Sequence, residues 1–223
     1  LSADIRMPVG AGPFPVFLVR SPYGNVDPKG FRSYVESGYA VVDQDCRGRF
    51  DSGGRFNPFH EAEDGYDTLA WIRAQPWCDG RMGMLAGSYL GYTQLSAAWL
   101  RPPGLRAIAP YVMGRDLFKD LIYHNGVFNL ALAIGWALGT AGRTGQSNVT
   151  TDGPAIFRHL PLNTMDEAAG YRLGHFREWM AHPTYDSYWK ATSVEAHYNE
   201  YDLPIMHVGG WFDGFAEGTL RNY

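Results

Sequence analysis

Short runs of β-branched and large apolar residues alternate with helix-length stretches through the first half of the chain. That alternation predicts βαβ units around a mainly parallel sheet. The strand runs are residues 16–19, 39–42, 82–85 and 107–112 and, after a long gap, 205–208. The first stops at Ser21-Pro22-Tyr23-Gly24, where Pro22 lacks the N–H that a continuing strand needs. Between the runs, residues 31–36 read as a short helix closed by Gly38. Residues 62–75 read as a longer one with Tyr66, Leu69, Ala70 and Trp71 at helical spacing. A third helix starts directly after Ser88, carries Tyr92, Leu95, Ala98 and Trp99 on roughly one side, and ends at Pro102-Pro103-Gly104.

The pattern changes after Gly114. Residues 116–198 hold long helical patterns with few β-branched runs, and a strand pattern resumes at 204–211. The expected organisation is therefore one α/β core, residues 1–114, interrupted by a helical insertion, residues 115–198, and resumed at 199–223. With 45% hydrophobic and 19% charged residues among 223, the chain has ample apolar material for a folded core.

A net charge of −4 and the lack of any basic block exclude nucleic acid as a partner. The longest apolar candidate, residues 127–138, is broken by Asn129 and Gly135 and is too short to span a bilayer, so no membrane partner is expected. Cys46 and Cys78 are too few for a disulfide framework and lack metal-ligand spacing. They read as two buried thiols in a reducing compartment, the cytoplasm. The opening Leu1-Ser2-Ala3-Asp4-Ile5-Arg6 has neither a methionine nor a leader pattern, so the chain reads as a segment of a longer one. Self-association into a homo-oligomer is left open.

The most informative stretch is Arg81-Met82-Gly83-Met84-Leu85-Ala86-Gly87-Ser88-Tyr89-Leu90-Gly91, an apolar strand that runs into a serine and then a helix. A nucleophilic serine on such a turn needs small residues before it, which Ala86 and Gly87 supply, and the helix start offers N–H donors to a developing oxyanion. The strict G-x-S-x-G spacing is not met, because Ala86 and Leu90 stand at the glycine positions. An ordinary N-cap serine is the alternative. Near the other end, a buried strand is expected to run out through Gly209-Gly210-Trp211-Phe212-Asp213-Gly214, which puts Asp213 where a triad acid sits just past a strand end; a turn aspartate is the alternative.

With these stretches stand Leu18-Val19-Arg20-Ser21-Pro22-Tyr23, Asp43-Gln44-Asp45-Cys46-Arg47-Gly48, Ser52-Gly53-Gly54, Glu63-Asp64-Gly65-Tyr66-Asp67-Thr68 and Gln75-Pro76-Trp77-Cys78-Asp79-Gly80. Taken in order, they resemble the cocaine-esterase-like and X-Pro dipeptidyl-peptidase-like serine hydrolases over nearly the whole chain. The resemblance implies an α/β-hydrolase fold whose insertion is a helical cap, and a jelly-roll domain following outside these residues. It assigns Ser88 as nucleophile and Asp213 as triad acid, with the hydroxyl of Tyr23 and the N–H of Tyr89 as the oxyanion hole. Trp136 and Phe215 match aromatic positions of the acyl pocket, and both read equally as plain core aromatics.

Asp43, Asp45, Arg47 and Asp64 read as a structural carboxylate and arginine cluster, so no metal and no cofactor are expected. The substrate class implied is a small ester, amide or short peptide, with ester first, X-Pro peptide second, and a catalytically silent binding module as the contrasting class. A Ser–Asp pair needs a histidine to move the proton. No histidine follows His207, so the base is expected outside residues 1–223.

Overall fold

The computed structural model describes residues 1–24, 30–145 and 153–223; residues 146–152 of the expected insertion lie outside them. Its sheet has the order β1-β3-β2-β4-β5, with strands β1 (Ala3–Arg6), β2 (Phe14–Ser21), β3 (Ala40–Asp45), β4 (Cys78–Gly87) and β5 (Leu105–Tyr111). All pairings are parallel except β1 with β3. The four expected strands of the first half are present, each with shifted ends. β1 was not legible in advance: an exposed edge strand of four residues carries no apolar run. β3 is buried along its whole length, as a parallel strand inside a sheet must be.

Three helices connect the strands: α1 (Arg32–Glu36), α2 (Ala62–Arg73) and α3 (Tyr89–Ala98). α3 departs from the one-sided pattern expected of it, since all ten of its residues are buried. It packs against both the sheet and α2, and Gly65 of α2 allows the close approach of the two helices: a Cβ there would stand 2.7 Å from Cβ of Ala97. Any side chain at position 65 would push the two helices apart.

The insertion is made of short pieces rather than long helices. They are α4 (Leu130–Gly139), α5 (Gly153–Arg158), α6 (Met165–Ala168), α7 (Gly174–Ala181) and α8 (Ser187–Lys190), joined by turns, before α9 (Ala216–Asn222) follows the final loop. No helix among the described residues is long and apolar enough to cross a membrane. Arg49, fully buried, ties the insertion to the core: its Nε donates to the carbonyl of Pro22 (2.7 Å) and its Nη1 to those of Thr140 (2.7 Å) and Gly142 (2.5 Å).

Residues 205–208 lie parallel beside β5, bridged at Ile108 to Ile205 and Tyr111 to Val208. The expectation of a buried strand here is corrected. Met206 is 62% and Val208 45% exposed, because among the described residues this segment is paired on the β5 side alone and faces an open hollow of about 810 Å³ over β4 and β5.

Of the two cysteines, Cys46 is buried and Cys78 only half-buried; both are free thiols. Arg47 is held by the carboxylate of Asp64, as the structural reading of that cluster expects, and no metal-holding group of His, Cys, Asp or Glu occurs among the described residues.

Candidate active site

Ser88 sits between the end of β4 and the first turn of α3 with φ 56° and ψ −132°, a conformation that costs a non-glycine residue on the order of 1–3 kcal/mol. The surroundings hold it there. Its N–H donates to the carbonyl of Tyr111 on β5 (2.9 Å), and its carbonyl accepts from Gly91 (2.7 Å) and Tyr92 (3.1 Å). Gly87 has to lack a side chain, since a Cβ would meet the Tyr111 ring at 2.5 Å. Ser88 itself is exposed while its neighbour Tyr89 is buried. The chain thus spends backbone strain and a glycine on presenting one hydroxyl to solvent.

Tyr23 approaches this hydroxyl from the turn after β2. The phenol oxygen accepts a hydrogen bond from Nε1 of Trp136 (2.9 Å), and the Ser88 side chain lies near enough to act on its titration. Burial raises the pKa of Tyr23, while the contacts with Trp136 and Ser88 pull the other way; the net direction is upward, so the phenol is neutral at pH 7. An indole N–H donates only, so the phenol's own proton remains available to an oxygen in front of Ser88.

Trp136, carried by α4 of the insertion, stacks on Tyr89 (5.7 Å, 15°) and on Phe59 (5.5 Å, 25°). The Tyr89 ring points away from solvent, its hydroxyl donating to Glu61 (2.7 Å) and accepting from the N–H of Phe59 (2.9 Å). Its N–H belongs to the first turn of α3, where helical N–H groups precede any intrahelical acceptor. Behind it, fully buried Arg20 pairs with Glu61 (2.9 Å). Burial lowers the guanidinium's pKa, and the surrounding acidic groups, Glu61 foremost, together outweigh it, so the net direction is upward.

Asp213 follows residues 205–208, which lie beside β5 and hence two strand positions from β4. Neighbouring strands lie about 4.8 Å apart, so the serine turn and the aspartate loop share one sheet edge at a separation of about two strands. The Asp213 carboxylate accepts from the N–H groups of Gly210 (2.5 Å) and Phe215 (2.7 Å). Phe215 does not join Trp136. It borders a hollow of about 650 Å³ with Asp120, His124, Phe128 and Leu130, and Trp136 is not part of that lining.

No described histidine has a recorded hydrogen bond to Ser88 or Asp213. His60, His159 and His182 bond Pro58, Thr164 and Asp186, His197 stacks on Trp99, and His175 packs against Phe56, Trp136 and Trp179. The role of Arg49 and the Trp136–Tyr23 bond escaped sequence reasoning, since each joins residues some ninety or more positions apart and leaves no local signal.

A mostly parallel sheet with helices on its flanks, an insertion before the last strand position and an exposed serine on a strand-to-helix turn define an α/β-hydrolase fold. Residues 1–223 match the family of X-Pro dipeptidyl-peptidases (S15 family), and the chain belongs to it. It is 36% identical over 248 residues to the cocaine esterase of Rhodococcus sp. (strain MB1 Bresler), an alignment covering 100% of this chain and 43% of that enzyme. Among solved structures, an aminopeptidase from the marine sediment archaeon Thaumarchaeota archaeon superposes with a TM-score of 0.80 at 26% identity, covering 95% of this chain and 40% of that one. An α-amino acid ester hydrolase superposes at 0.77 and 22% identity, covering 98% and 42%. The chain therefore spans less than half the length of these relatives. Membership makes it part of a hydrolase family of esterases and peptidases.

Proposed function

We propose that this chain carries the nucleophile half of a serine hydrolase acting on carboxylic esters through an acyl-enzyme. Ser88 attacks the carbonyl carbon. Tyr23 and the N–H of Tyr89 donate to the oxygen as it becomes an oxyanion. Asp213 orients a histidine carried outside residues 1–223, which takes the serine proton and returns it to the leaving alcohol. The helical insertion acts as a cap, and its Trp136 holds the Tyr23 hydroxyl in place beside the acyl group.

The observation that carries this reading is the juxtaposition at Ser88: a strained, exposed hydroxyl whose neighbour is a neutral phenol with a free proton. Neutral donors aimed at the oxyanion position are what acyl transfer requires. Ester cleavage is preferred over release of an X-Pro dipeptide, because a substrate ammonium needs a carboxylate to anchor it. Glu61, the acid behind Tyr89, is already engaged by Arg20 and the Tyr89 hydroxyl.

The test is a fluorophosphonate probe on the gene's full product, with the labelled peptide read by mass spectrometry. Labelling at Ser88, absent in Ser88→Ala together with all but roughly a 10⁻⁴ to 10⁻⁶ fraction of p-nitrophenyl ester turnover, is the expected result. A protein that takes no label at Ser88 would instead be a ligand-binding module on the same fold.

A further inference from the structure

Another hollow, of about 340 Å³, opens between the loop after β3 and the start of α7. Its lining includes Arg55, Arg143 and Arg172 and, among the described residues, no carboxylate. Arg55 and Arg172 form no ion pair among the described residues, and Arg143 spends its Nη2 on the carbonyls of Phe50 (2.6 Å) and Ser52 (2.8 Å). Like charges facing one space without a counterion repel, so such an arrangement is stabilised when an anion fills it.

The backbone adds to the same field. Leu173, Gly174 and His175, the N-terminal end of α7, line the hollow. That end has no cap from its own side chains and no acidic residue in its first turn, and Asp166 accepts only the N–H of Leu173, so the N–H groups that follow have no intrahelical acceptor. Gly174 keeps the space open: a Cβ there would stand 3.0 Å from Nη2 of Arg55. Of two further buried nitrogens, one belongs to a lining residue and the other to a residue bonded to the lining. Nε2 of His175 is without a hydrogen-bond partner, as is Nη2 of the fully buried Arg49, whose Nη1 bonds two of the lining residues, Thr140 and Gly142. The Arg49 guanidinium also lies 5.3 Å from the centre of the Phe56 ring, which borders the hollow. The nearest acids are otherwise placed. Asp166 is engaged by Arg177 and the N–H of Leu173, and Glu178 lies in the adjoining hollow, which shares Arg55 and His175.

We infer that this hollow binds a small oxyanion, a carboxylate or phosphate group, on the guanidinium groups of Arg55, Arg143 and Arg172 and the N-terminus of α7. The site is separate from Ser88: Phe56 and His175 stand between it and Trp136, with ring centres 6.3 Å and 5.8 Å from the Trp136 ring. It does not depend on the hydrolase reading.

Calorimetric titration of the whole protein with sodium phosphate, and separately with sodium acetate, at constant ionic strength tests it. The expected result is saturable binding of at least one of the two anions. That binding weakens tenfold or more in the double variant Arg55→Gln/Arg172→Gln and is unchanged in Arg101→Gln, an exposed arginine elsewhere. Both altered arginines are exposed, and an unchanged Tm shows that the fold is kept. No saturable binding of either anion, or equal affinity in the double variant, overturns the inference. A kinetic pair separates a free anion from one borne by the substrate. A preference for mono-p-nitrophenyl succinate over p-nitrophenyl acetate that disappears in the double variant marks a substrate carboxylate. Anion binding without that preference marks a free ion.

Discussion

The turn that carries Ser88 and the loop that carries Asp213 leave the same edge of one sheet, yet the protein holds them in different ways. Ser88 is gripped from every side by buried elements: β5 through Tyr111, the all-buried helix α3, and the aromatic layer of Tyr89, Phe59 and Trp136. Asp213 follows a segment attached by two bridges, beside Trp211 at 86% and Phe212 at 104% exposure, and its carboxylate is satisfied by its own loop. Strain persists where the surroundings over-determine it, and the buried elements around Ser88 meet that condition for its positive φ. The Ser88 turn is thus fixed by the described core, whereas Asp213 is held by a few bonds within its own loop.

The largest expected effect asks whether the looser region takes part in the chemistry at all. Asp213→Asn keeps one acceptor for the loop N–H groups but cannot hold a histidine in the required tautomer, so kcat is expected to fall by roughly 10⁴. Steady-state kinetics and a melting curve on the same sample separate the cases. If Asp213 only closes a turn, the Tm drops and turnover per folded molecule stays at the wild-type level.

In the tighter region, Tyr23→Phe removes the phenol proton and little else. The expected loss is about 10²–10³ in kcat, equivalent to roughly 3–4 kcal/mol, with KM nearly unchanged. The pKa of Tyr23 is raised by burial, so the donor is fully protonated below its ordinary value and is lost only as the pH climbs past the raised one. The ratio of wild-type to variant rates should accordingly stay flat between about pH 6 and pH 9. A ratio that changes within that range, or equal rates, would remove the phenol from the oxyanion hole.

The same contrast explains what the sequence revealed. The serine turn was legible because its requirements are local: a strand, two small residues, a serine and a helix start, all within eleven positions. Gly87 is small for the reason the pattern gives, the Tyr111 ring being where its side chain would go. The burial of residues 205–208 was misjudged from the same kind of apolar run, since a run reports what a segment would bury, not whether an element covers it. β1 gave no signal because four half-exposed residues at a sheet edge need none. The pairing of Tyr23 with Trp136 spans 113 positions and comes from the way Arg49 docks the insertion on the core, so no window of sequence contains it. Phe215 and Trp136 looked alike as aromatic pocket positions, and only the fold separates them.

That long-range bond supplies the smallest and sharpest test. Trp136→Phe keeps an aromatic ring against Tyr89 and Phe59 and deletes only the N–H that occupies the Tyr23 oxygen. One neutral hydrogen bond is worth about 0.5–1.5 kcal/mol net, so kcat should fall by roughly 2- to 12-fold with a smaller change in KM. The role proposed for Trp136 is positioning, exercised through Tyr23, and it therefore makes a claim about additivity. In the Tyr23→Phe background there is no hydroxyl left to orient, so adding Trp136→Phe should cost almost nothing further. A double-mutant cycle that instead multiplies the two losses would mean that Trp136 acts on the substrate directly, as a wall of the acyl pocket.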